Sequence, residues 1–346
     1  VISTSSKGRI PTRDSVKIRR KAVERSIPCL TSVDTANAVA ICLKSRYSPY
    51  STELVDINDL RTWRMKLSFT KMHGCGNNYI YINCFDQKVT DPEKLSIALS
   101  EPHFGIGGDG IILISPSDRA DAQMRIFNAD GSEGKMCGNG IRCVGKYLYD
   151  NGMVGGRTTI TIDTLSGVKT LELNVRDGKM QTARVDMGAA ILEPAKIPVN
   201  MAGSSVIDAP LVVDEKVYHV TCVSMGNPHC VIFFNEDDVD DLDLSRLGPK
   251  FEHHPLFPER INTEFVNVLP DGSLKMRVWE RGSGETWACG TGACATGVAA
   301  CLNGFCKPDT DITVHLRGGD LTIRYTTETV FMTGAAATVF KGEIEL

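Results

Sequence analysis

Long hydrophobic runs, closely paired cysteines and a strong charge of either sign are all missing from this 346-residue chain. No stretch of about eighteen apolar residues occurs, so a helix spanning a membrane is not expected. No charged segment leads into an apolar run with a small-residue cleavage site. Secretion is therefore not expected, and the chain reads as cytoplasmic. Net charge is only −4. Residues 1–64 carry 12 Lys+Arg against 6 Asp+Glu, and the remainder 26 against 36. The basic residues at the start are scattered rather than interleaved with aromatics, which argues against a nucleic-acid partner. Cysteine itself is plentiful, at 12, but no Cys-x-x-Cys pair exists. The chain is large and shows no leader, so reduced thiols are expected instead of bridges, and no structural zinc. The run Gly105-Ile-Gly-Gly-Asp-Gly110 lacks the strand-to-helix setting of a nucleotide loop and reads as a tight turn.

What is present is one device used twice. Cys137-Gly-Asn-Gly and Cys289-Gly-Thr-Gly each open a segment with helical periodicity. Ile141, Val144 and Leu148 form an apolar stripe after the first; Cys294, Val298, Cys301 and Leu302 form one after the second. Each segment closes on Asn-Gly, 15 positions beyond its cysteine, at Asn151-Gly152 and Asn303-Gly304. A thiol at a helix N-terminus gains acidity and sits beside N–H donors suited to an anion. Gly138, Gly140, Gly290 and Gly292 would let that backbone come close. Two such thiols on opposite sides of one carbon are what a racemase or epimerase needs. Nearby, Arg281 offers a two-pronged donor for a carboxylate. His229, in Gly226-Asn-Pro-His, could exchange protons with a thiol.

The composition breaks near residue 64. Residues 1–64 include Ile2–Ser6, Ile18–Val23 and Pro28–Ser32. They resemble the last part of the methylglyoxal-synthase-like regulatory domain of the carbamoyl-phosphate synthase large subunit. A fragment of that kind cannot bury its own sheet face, so an appendage is expected. From residue 65, short strands alternate with the two cysteine helices. The expected fold is α+β with two pseudo-symmetric lobes and a cleft between them. The lobes are 65–190, joined by a last strand at about 336–346, and 191–335.

The runs FTKMHGCGNNY, HFGIGGDG, FNADGSEGKMCGNGIRC, GNPH, RINTEFV and WERGSGETWACGTGACA together resemble the diaminopimelate epimerase family. The resemblance covers 65–346. It implies a two-base epimerase without cofactor or metal, acting on LL- and meso-diaminopimelate in lysine and peptidoglycan synthesis. It implies Cys137 and Cys289 as the acid/base thiols, tuned by His229 and Glu280. It further implies that Asn77, Asn128, Asn227, Asn262, Glu280 and Arg281 hold substrate, with backbone contacts from Gly138-Asn139 and Gly290-Thr291. A homodimer is compatible with it. Some members place a substrate-contacting glutamine where this chain has Gly110, and an acidic residue where it has Asn78. The alternatives are a proline or hydroxyproline racemase or another isomerase on the same fold, and a thiol-rich binding module without catalysis.

Overall fold

Burial along a strand reports how its sheet is covered, and this chain shows both patterns. Residues 167–176 alternate, hiding Leu171 and Leu173 and exposing Glu172 and Asn174. Residues 110–115 are buried along almost their whole length, as a strand covered on both faces must be. A computed structural model describes residues 20–25 and 66–345 except Glu236. It separates Val1–Met65 from Lys66–Leu346 as compact units. In the first unit residues 20–24 are helical, with Ala22 buried. The resemblance to a carbamoyl-phosphate synthase regulatory domain otherwise lies outside the described residues.

The second unit runs β1 (Lys66–Gly74), β2 (Asn77–Asn83), α1 (Pro92–Ser100), β3 (Gly110–Ser115), β4 (Ala122–Asn128), β5 (Glu133–Gly134), α2 (Gly138–Asp150), β6 (Thr159–Thr164), β7 (Gly167–Arg176) and β8 (Lys179–Asp186). Residues 187–208 then cross over with a single 3-10 turn at Pro194–Lys196. The same succession follows: β9 (Ala209–Val213), β10 (Lys216–Ser224), β11 (Pro228–Phe234), α3 (Leu244–Glu252), β12 (Asn262–Val268), β13 (Leu274–Glu280), β14 (Gly284–Glu285), α4 (Gly290–Leu302), β15 (Asp311–Leu316), β16 (Gly319–Tyr325) and β17 (Val330–Ala335). β18 (Ala337–Glu345) returns to pair with β1, as β9 pairs with β10.

Cys137 and Cys289 lie 152 positions apart, and the same interval separates the starts of β3 and β12, β4 and β13, and α2 and α4. Both halves make β2–β3-like and β4–β6-like parallel pairs within otherwise antiparallel ladders. The halves join where β8 pairs antiparallel with β17. Mixed α+β architecture dominated by sheet is therefore what forms.

One helix was not anticipated, and one expectation needs amending. α3 was not read from the sequence; it holds Gly248-Pro249 in its interior, a pair that ordinarily disfavours a helix. Tertiary contacts override it. Trp279 lies over the glycine, where an added Cβ would come within 2.2 Å of the indole, and Trp279 Nε1 donates to Glu252 Oε2 at 2.8 Å. α4 was expected to bury one stripe, yet Gly290, Gly292 and every residue of 293–300 are buried. Its alanines and glycines are small enough for strands to close around it, so it is a core helix rather than a surface one. Both cysteine helices contribute to one apolar core, through Ile141 and Val144 on α2 and Cys294 and Val298 on α4. Among the described residues no helix is long and apolar enough to cross a membrane.

Candidate active site

Each thiol is placed by its own helix start. Cys137 and Cys289 are the N-cap residues of α2 and α4, both extended in backbone, and both helices are 13 residues long. Cys137 Sγ accepts from Gly140 N at 3.3 Å, and Cys289 Sγ from Gly292 N at 3.4 Å. The thiols thus occupy the capping position usually held by Ser or Asp. Gly152 and Gly304 take positive φ, 75° and 79°, just past the two helix ends.

The two helix starts converge. A Cβ on Gly138 would come within 2.7 Å of Met332 Cε, and one on Gly290 within 3.2 Å of Met332 Sδ. One methionine therefore lies beneath both turns. Asn139 Nδ2 reaches across to Ala288 O at 3.4 Å. Both thiols line one cavity of about 640 Å³. Asn77, Asn128, Asn139, Asn227 and Thr291 line it too, as do Glu280, Arg281, Gly138 and Gly290.

Second contacts fix these side chains. Asn77 Oδ1 stands 3.3 Å from Cys137 Sγ, while its Nδ2 donates to Asp109 Oδ2 at 2.9 Å. Asn128 donates to Ser132 Oγ at 3.1 Å. Asn227 Nδ2 donates to Thr291 Oγ1 at 3.2 Å, and that hydroxyl is 3.5 Å from Cys289 Sγ. Arg281 is held through its backbone N–H, which donates to Asn262 Oδ1 at 2.8 Å, and through Nη1, which donates to Glu259 O at 2.9 Å.

Two of the anticipated site residues sit behind the cavity wall. His229 is fully buried, with Nδ1 2.7 Å from Glu264 Oε1 and Nε2 3.1 Å from Asn227 Oδ1. Asn262 is buried as well; besides holding Arg281 it donates to Pro228 O at 2.9 Å. Gly110 cannot carry any side chain, because a Cβ there would fall 2.1 Å from Phe127 O. Asn78 is engaged by Asp109, its N–H donating to Oδ2 at 2.7 Å, and does not line the cavity.

Sequence reasoning gave no role to Asp109, Glu264, Glu252 and Arg142; the last three are buried, whereas Asp109 is exposed and lies in the glycine run read only as a tight turn. Arg142 is wholly buried, donating to Gly138 O at 3.0 Å, Asn139 Oδ1 at 2.9 Å and Ala335 O at 3.3 Å. Tyr79, Ser166 and Lys169 also line the cavity unanticipated.

The thiols were expected to be acidic, and the balance runs the other way. Burial pushes the Cys137 thiol up, although Gly140 and Asn139 N–H groups and the Arg142 guanidinium draw it back. Cys289 is pushed up further by burial, then by the Glu280 and Glu264 carboxylates, with Thr291 and Gly292 opposing. Helix-start donors act as supposed, but desolvation of a buried anion exceeds them. Burial likewise raises the Glu280 carboxyl, against hydrogen bonds from Thr286 and Cys289.

Donor atoms of His229, Glu264 and Cys289 lie within 4.8 Å of one another, a set able to ligate a metal. The 2.7 Å approach of His229 to Glu264 is tighter than two ligands on one tetrahedral zinc, roughly 3.3 Å apart for bonds near 2 Å. The pair as it stands is a hydrogen bond.

Glu252 holds Trp279 and Gly282, on either side of Arg281, and makes a pH test. Burial works to raise its carboxyl, yet Trp279, the Gly282 N–H and the nearby His253 and Arg260 outweigh this and hold it below its usual value. A depressed folded value gives stability that is full above the unfolded carboxylate's range and lost as pH falls through the folded one. The wild-type melting temperature should therefore fall more steeply in acid than that of Glu252→Gln. Parallel acid limbs would show that this carboxylate is not coupled to folding.

The family model described as diaminopimelate epimerase matches residues 69–193 and 221–339. The diaminopimelate epimerase of Agathobacter rectalis is 55% identical over 289 residues, covering 81% of this chain and 100% of that protein. That of Acetivibrio thermocellus is 54% identical, over 81% of this chain and 99% of the relative. Among solved structures, a hydroxyproline epimerase of Agrobacterium vitis aligns at a TM-score of 0.63 with 17% identity, covering 82% of this chain and 94% of that one. A phenazine biosynthesis protein of the PhzF family from Bacillus anthracis aligns at 0.58 with 16% identity, over 81% and 99%. At those identities the structures speak for the fold alone. The family match spans most of the chain and includes both cysteine helices: this protein belongs to the diaminopimelate epimerase family.

Proposed function

We propose that this chain interconverts LL- and meso-diaminopimelate, one thiolate removing the α-proton while the opposite thiol returns a proton to the other face. The convergence of two cysteine-capped helix starts on one cavity carries this reading. The step is redox-neutral: a C–H bond breaks to one sulfur, a C–H bond forms from the other, and the protein ends with the proton exchanged between thiols. The balance closes without a cofactor. Substrate carboxylate at the N–H groups of both helix starts would be stabilised as it takes on enolate-like charge. The substrate's ammonium would offset the burial that holds the thiols protonated. Asn77, Asn128 and Asn227, with Arg281, supply polar groups for a long substrate bearing a second amino-acid end. Such an isomerase belongs to lysine and peptidoglycan synthesis in the cytoplasm.

In this reading the lobes are 65–190 with 336–346, and 191–335. Residues 1–64, whatever their resemblance to carbamoyl-phosphate synthase, take no part in the chemistry. The test is incubation of LL-diaminopimelate with the full chain in D2O without added cofactor. Deuterium should appear at the α-carbon of the inverted product. Turnover of L-proline or trans-4-hydroxy-L-proline instead of diaminopimelate would replace this assignment with a sister activity on the same fold.

A further inference from the structure

The 152-residue repeat sets matching positions around the two thiols, and the matching residues are chemically unlike. Gly140 and Gly292 each give an N–H to their thiol. A Cβ on Gly140 would meet Ile112 Cδ1 at 2.7 Å, whereas one on Gly292 would meet Glu264 Oε1 at 2.6 Å. The first turn of α2 therefore rests on a methyl group and that of α4 on a carboxylate. The interval also places Asn128 opposite Glu280. Sheet register, pairing Ile80 with Ile111 and Cys230 with Thr263, sets Tyr79 where the second half has His229. One thiol is thus surrounded by a phenol, an alkyl group and an amide, the other by an imidazole and two carboxylates.

Glu264 is fully buried, and its Oε2 has no partner among the described residues. Its other oxygen holds His229 Nδ1 at 2.7 Å. A carboxylate at a helix start takes the positive end of the dipole that would otherwise favour a thiolate, and it repels that thiolate directly.

Resting on the two-base reading, we propose that Glu264 is a positioning residue that makes the two thiols inequivalent. It fixes the His229 ring and the first turn of α4, and it keeps the proton on Cys289, so that Cys137 is the thiol readier to ionise in the free enzyme. The groups facing each sulfur agree. Cys289 faces Glu264, Glu280 and His229; Cys137 faces the Arg142 guanidinium, Tyr79 and, more remotely, Glu280. The isomer presenting its α-proton to Cys137 then meets an enzyme already in the correct protonation state. The other isomer must wait for the proton to change sulfurs.

The experiment is iodoacetamide alkylation of the full chain across the neutral to alkaline range, each cysteine followed by peptide mass spectrometry. The ionisation midpoint of Cys137 should lie below that of Cys289 in the wild type. In Glu264→Gln the Cys289 midpoint should fall by about one pH unit, a tenfold gain in thiolate at a given pH, while that of Cys137 stays. Glu264→Asp, which keeps the carboxylate, should preserve the wild-type order. A folded Glu264→Gln with an unmoved Cys289 midpoint overturns the proposal. So does a wild type in which Cys289 ionises at or below Cys137, even if Glu264→Gln does not fold. Alkylation needs no substrate, so an ordered pair of midpoints in a chain inactive on diaminopimelate would sink the functional reading and leave this one standing.

Discussion

Cys137→Ala and Cys289→Ala each lose inversion of diaminopimelate by about a thousandfold or more, the range expected when a positioned acid/base group disappears. The effect is large because the two thiols are not interchangeable spares: each is the sole sulfur capping its helix toward the shared cavity. Removing one leaves a substrate that can be deprotonated from one face, with no group to reprotonate the other. The remaining thiolate can still take a proton and return it to the same face. Each variant should therefore wash deuterium into one isomer without inverting it, and the two variants should act on opposite isomers. Measuring isotope uptake and chirality together separates this outcome from simple loss of folding. Near-normal epimerisation by either single variant would falsify the two-base assignment.

Gly110→Gln carries the largest expected cost in stability. The position pairs with Asn128 across β3 and β4, with φ at 152°, and a Cβ would stand 2.1 Å from Phe127 O and 2.9 Å from Tyr79 Cε1. Backbone oxygen cannot yield as a flexible side chain does, so the strand must shift. Overpacking and backbone strain together cost about 3 kcal/mol. Denaturant unfolding should show that loss. Tyr79 and Asn128, the two residues displaced, line the cavity, so substrate affinity should fall with it. A variant of wild-type stability that binds diaminopimelate more tightly would mean that the chain accommodates a glutamine here after all.

The helices carrying the thiols were legible because capping is local chemistry. Cysteine, glycines and a closing Asn-Gly lie within one segment, and Cys137, Gly152, Cys289 and Gly304 take the geometry they suggested. Glu264 was not legible, because in a strand whose first five residues, Asn262 to Val266, are all buried no periodicity distinguishes a functional carboxylate from its neighbours. Its meaning comes from His229 in the adjacent strand, 35 positions away. The acidity expected of the thiols failed for a related reason. A helix start is written in sequence, but the depth at which the fold buries it is a property of every strand packed around it. α3 was hidden by its own Gly-Pro pair, whose use becomes clear only with Trp279 lying on the glycine.

The ladder between β8 and β17 has a consequence for how the catalytic unit comes apart. Five residue pairs, from Phe331–Asp186 to Ala335–Thr182, stitch the halves into one backbone network. Neither half can lose its sheet without exposing the hydrogen-bonding edge of the other. Heat should then melt the two halves together in a single cooperative step, despite their repeated order of elements.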